Sequence, residues 1–113
     1  MRININHPSF ISFLENVTSI IMYEIDIKGY FNNTPEKRIK IQKAVLLILK
    51  KALKSRSILT DTEIKGFIIV LQKKNEESEN YEISAILKDI IINYESLTEP
   101  IDKKNTVSIK VNQ

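Results

Sequence analysis

At 113 residues the chain has room for one domain, with a single modest core of three or four helices, and is too short for two independent cores. It contains no cysteine, which excludes disulfides, a thiolate nucleophile and zinc–thiolate ligation, and suits a cytoplasmic setting, or a virion if the source is viral. The net charge of +3 permits an acidic partner without requiring one, because the charge is unevenly spread along the chain.

The first residues, Met1-Arg2-Ile3-Asn4-Ile5-Asn6, lack the apolar run of a signal peptide. No later segment approaches the roughly 20 apolar residues needed to span a bilayer, so no membrane partner is expected. Pro8 then opens a segment in which Phe10, Phe13, Leu14, Val17, Ile20, Ile21 and Ile25 recur at helical spacing. Proline suits a first helical position, where its missing N–H had no partner to lose. The pattern predicts a helix over about 8–27, ended by Gly29 and the pair Asn32-Asn33.

Thr34-Pro35-Glu36 is a second start signal, with Thr34 as cap and Pro35 as first residue of a helix running to about Ser55. Ile39, Ile41, Val45, Leu46, Ile48, Leu49, Ala52 and Leu53 cover one side of it. Lys40, Lys43, Lys50, Lys51 and Lys54 gather on the other, within an arc of about 100°. This lysine ridge is the main electrostatic feature of the sequence.

After the link Ser57-Ile58-Leu59, Thr60 or Asp61 caps a third helix, and Glu63 in its first turn complements the helix dipole. Ile64, Phe67, Ile68 and Leu71 form its stripe. The polar stretch Lys73 to Asn80 is expected to hold a bend. A fourth helix follows over about 81–97, with Ile83, Ile86, Leu87, Ile90, Tyr94 and Leu97 aligned and Pro100 preventing continuation. The β-branched runs at 67–71 and 90–92 compete as strands, but the caps and the length of each periodic segment favour helix. Ile69, Val70, Tyr81, Ala85 and Ile92 are apolar off the two stripes, more than a four-helix monomer can hide.

The fold expected is therefore all-α: a small bundle of four helices over 1–97 with a C-terminal helical hairpin, followed by an extended tail over 98–113. In that tail Val107, Ile109 and Val111 alternate with polar residues, as Ile3 and Ile5 do at the other end. The two ends pair as a ribbon, the tail adds a strand to another protein's sheet, or it is a mobile terminus.

Chemistry has few candidates. His7 is the single histidine, and its place before Pro8 suits a helix start better than a metal or proton-transfer role. Glu76, Glu77, Glu79 and Glu82 cluster at a polar bend without calcium-loop spacing. With only Gly29 and Gly66 there is no phosphate-cradling loop, and no glycine-flanked turn presents a nucleophile. Neither catalysis nor a cofactor is expected.

The run from Glu79 to Ile91 carries Tyr81, Glu82, Ala85, Leu87, Lys88, Asp89 and Ile91 in the order acidic-x-aromatic-Glu-x-Ala-Ala-x-apolar-basic-Asp-x-apolar, with Ser84 at the first alanine. It resembles the UVR motif, a short helical hairpin of nucleotide-excision-repair and protease-adaptor proteins, the likeness covering residues 71–92, about a fifth of the chain. The resemblance implies an antiparallel helix pair that contacts another protein, and no catalytic residue. On physical grounds the small residues Ser84 and Ala85 admit a neighbouring helix closely, while Lys88 and Asp89 serve its rim. Tyr81 and Ala85 packing inside the domain is the plainer alternative.

Two functions follow as expectations. One is a protein-interaction module, an accessory or adaptor subunit of a larger assembly, a viral one included, that binds a protein partner or a second copy through Tyr81, Ala85, Lys88, Asp89 and Ile92. The other is nucleic-acid binding through Lys40, Lys43, Lys50, Lys51 and Lys54, although no aromatic is interleaved for base stacking.

Overall fold

The computed structural model of the chain describes residues 7–54 and 60–98, and every element in it is helical. In chain order these are α1 (Pro8–Glu24), α2 (Ile27–Phe31), α3 (Pro35–Lys54), α4 (Asp61–Glu77) and α5 (Tyr81–Thr98). The expected all-α bundle of four long helices is present, with the short α2 added. The residues expected to form the tail lie outside the described residues, apart from Thr98, which closes α5.

Local sequence explains most of the boundaries. His7 caps α1, its Nδ1 accepting the Ser9 N–H at 3.1 Å, and Pro8 takes the first turn. Thr60 and Glu63 form a reciprocal capping box on α4. The single helix expected over 8–27 is corrected to two. The period runs on through Ile25 and Ile27, but Asp26 between them accepts the Gly29 N–H at 3.0 Å and starts α2.

The polar stretch from Lys73 to Asn80 holds the expected bend at its far end, over 78–80, since α4 continues to Glu77. Its polar residues are held in the helix by partners: Asn75 is buried and its side chain donates to Leu71 O at 2.9 Å and to Thr18 Oγ1 of α1 at 3.2 Å. The helix then ends in a Schellman turn, with Asn80 N–H on Asn75 O at 2.8 Å and Glu79 N–H on Glu76 O at 3.1 Å. Glu79 takes the left-handed position, φ 65°, where glycine is usual.

Helices α4 and α5 form an antiparallel hairpin. Asp61 meets Tyr94 near its open end and Gln72 meets Ser84 near its turn. α1 runs alongside α4 in the same direction, with Phe10 edge-on and Phe13 tilted against Phe67 at one end while Thr18 meets Asn75 further along. α1 and α5 each pack against both α3 and α4, which closes the bundle around one core. Val45 and Leu49 of α3, Ile68 and Leu71 of α4, and Leu87 and Ile90 of α5 are wholly buried there.

Candidate functional site: the outward face of α5

Helix α5 has two faces set by its period of 3.6 residues. Ile83, Ile86, Leu87, Ile90, Tyr94 and Leu97 point into the core. Tyr81, Ala85, Lys88 and Ile92 fall on the opposite side, within an arc of about 60° for a helix turning about 100° per residue. Ile92 is 79% exposed and Tyr81 63%, so two large apolar side chains stand at the ends of one outward stripe. Ala85 between them is half-buried, and Lys88 is exposed with no partner among the described residues.

The stripe borders two adjoining shallow clefts between α2 and the first turn of α5. Met22, Ile27 and Ile83 form the apolar lining of one, and Phe31 and Ala85 that of the other; Lys28, Tyr81 and Glu82 belong to both. Glu79, in its left-handed conformation, stands at the rim of the first. The apolar surface on α5 therefore continues onto α2. Ile69 on α4, 38% exposed, and Tyr23 on α1, 87% exposed, add to the apolar surface the bundle leaves outside.

Other residues singled out in the sequence are divided by the fold. Ser84 lies on the buried side of α5, where its Oγ accepts Gln72 Nε2 at 2.7 Å. Its small size serves the close approach of α4 within the domain, whereas that of Ala85 leaves the outer face low. Asp89 does not stand free at a rim: its Oδ2 accepts the Tyr30 hydroxyl of α2 at 2.6 Å.

That hydroxyl also accepts Gln42 Nε2 of α3 at 2.8 Å, and Gln42 Oε1 accepts Asn93 Nδ2 at 3.0 Å. Arg38 donates to the carbonyls of Tyr30 and Phe31, both at 3.2 Å, and its guanidinium lies 5.9 Å from the Tyr30 ring centroid. Burial first, and donation to Asp89 second, push the Tyr30 hydroxyl up to about 12. This network ties α2, α3 and α5 together and fixes the wall of the clefts. Sequence reasoning missed Tyr30, Gln42 and Asn93; the one local signal was Asp26 three residues before Gly29, an N-cap spacing inside an apparently continuous helix.

Lys40, Lys43 and Lys51 are exposed on α3 and Lys50 is half-buried, with no acidic partner among the described residues; the side chain of Lys54 lies outside them. Leu47, 54% exposed, interrupts this ridge with an apolar residue. Among the described residues no three carboxylate or imidazole groups gather as a metal would need, and no helix is long and apolar enough to cross a membrane. Fold and surface together define a small all-α bundle that leaves apolar helix surface turned outward, on α5 among other places. Compared with known proteins, the chain matches no family model, no curated protein and no solved structure.

Proposed function

We propose that the chain is a non-enzymatic protein-interaction module, an accessory or adaptor subunit of a larger cellular or viral assembly, acting in the cytoplasm or in a virion. The observation that carries this reading is the outward stripe of α5, where Tyr81 and Ile92 remain open to water although the same helix buries six other large side chains. Leaving such side chains exposed costs about 1.5–3 kcal/mol each relative to burying them, and a partner recovers that energy. The resemblance of Glu79–Ile91 to the UVR hairpin supports the same role, since its aromatic, alanine and lysine positions fall on this face. The inward polar groups support it too, because each bonds to another part of the fold, Tyr30 with Asp89 and Gln42, Asn75 with Thr18, and Ser84 with Gln72, in three separate places that do not converge on an open cleft.

The test is affinity capture from the native host with the wild-type chain and with the double variant Tyr81→Ser/Ile92→Glu, each with and without nuclease. The reading expects a partner set that survives nuclease and is lost with the double variant. Unchanged capture by a folded double variant contradicts it.

A second reading, nucleic-acid binding, is favoured by one observation, that Lys40, Lys43 and Lys51 share an exposed face with no acidic partner among the described residues. Replacing the ridge lysines by glutamine abolishes retention on nucleic acid under this reading and leaves protein capture intact under the first.

A further inference from the structure

The outward stripe of α5 has a symmetry that selects its occupant. Tyr81 and Ile92 are equidistant from the midpoint between Ile86 and Leu87, and so are Ala85 and Lys88. If a second α5 lies antiparallel across the first, with a two-fold axis at that midpoint, Tyr81 of each copy faces Ile92 of the other, and Lys88 faces Ala85. Both large apolar residues are covered at once, and the small Ala85 leaves room for the long lysine stem.

Charge agrees with this register. Lys88 has no acidic residue three or four positions away on its own helix and no partner among the described residues. Passing over Ala85 of the second copy, it comes within a turn of that copy's Glu82, a carboxylate likewise exposed and without a partner among the described residues. The pair forms twice, once on each side of the axis. We propose that the protein partner of this face is a second copy of the chain, docked α5 against α5 in an isologous antiparallel dimer. This rests on the reading of α5 as an interaction surface and names its occupant. One helix seam is smaller than the ~1,600 Å² of a standard interface, so the dimer dissociates on dilution.

Sedimentation equilibrium of the full chain over a wide concentration range, with wild type and Ile92→Asp compared, tests the assembly. The expected result is a reversible dimer whose dissociation constant rises at least tenfold in Ile92→Asp, with helicity by circular dichroism unchanged. The register is read separately, because the chain lacks cysteine. Equimolar Ala85→Cys and Lys88→Cys chains, mixed and oxidised, are expected to form the mixed disulfide faster than either forms its own pair, and faster than the α1 surface control Asn16→Cys. A monomer at all concentrations overturns the dimer, as does a dimer indifferent to Ile92→Asp or mixed disulfide at only the statistical rate. A monomeric chain whose host partner is nevertheless lost with Tyr81→Ser/Ile92→Glu sinks the dimer and leaves the interaction surface standing; a monomer whose capture is unaffected sinks both.

Discussion

The Tyr30 hydroxyl donates to Asp89 Oδ2 across 2.6 Å, joining residues 59 positions apart and fastening the short α2 to the middle of α5. Removing the hydroxyl leaves the Asp89 carboxylate and the Gln42 amide each short of a partner in a part-buried place. Tyr30→Phe is therefore expected to cost about 1–3 kcal/mol, read as a lower urea midpoint, although the ring itself is retained.

The same hydroxyl gives the fold an alkaline limit. Tyr30 and Tyr94 are both pushed up to about 12, in each case by burial first and by donation to an aspartate second, Asp89 and Asp61 respectively. A group held above its unfolded value of about 10 binds its proton more tightly when folded. Its stabilising contribution is complete below pH 10 and is lost as pH rises from there through 12. Urea midpoints measured from pH 9 upward should hold and then fall across that window, and the fall should shrink in Tyr94→Phe. A midpoint flat to pH 12 contradicts the geometry at both tyrosines.

The two glycines call for opposite outcomes. Nothing lies within 4 Å of a methyl group built on Gly66, in the exposed interior of α4, so Gly66→Ala should stabilise by about 1 kcal/mol through helix propensity alone. A methyl group on Gly29 would meet the Asp26 carboxylate that caps α2. Gly29→Ala should lose that cap and destabilise by about 1 kcal/mol. Thermal melts of the two variants should move in opposite directions.

Glu79 holds a left-handed backbone at the α4–α5 turn, a conformation that costs a side-chain-bearing residue about 1 kcal/mol. Glu79→Gly should raise the melting temperature while removing a carboxylate from the rim of the cleft. If the partner approaches that rim, binding weakens in a chain that has become more stable, a separation that a purely structural role does not produce.

The long helices were legible because their start signals are local: His7-Pro8, Thr34-Pro35 and Thr60 with Glu63 each announce a first turn. The end of α1 was not, since Ile25 and Ile27 extend the apolar period across the break and only the Asp26 side chain interrupts it. Where within the polar stretch Lys73–Asn80 the turn falls was not legible for a related reason. Gln72 and Asn75 are helical and buried because Ser84 and Thr18 satisfy them from other helices, and a single segment cannot reveal such partners. On α5, Tyr81, Ala85, Lys88 and Ile92 could be placed outward from their phase against the core stripe. Asp89 lies beside that stripe in phase, but its hydrogen bond to Tyr30 depends on α2, an element the sequence pattern concealed.

On the proposed function, polypeptide covers the outer face of α5 in the working assembly. Hydroxyl-radical footprinting of the tagged chain, purified and dilute in one sample and held in its native assembly in the other, measures this directly, with Tyr23 on α1 as internal reference. Oxidation of Tyr81 and Ile92 is expected to fall severalfold in the assembly relative to Tyr23. Equal labelling of both residues in the two samples would contradict that function.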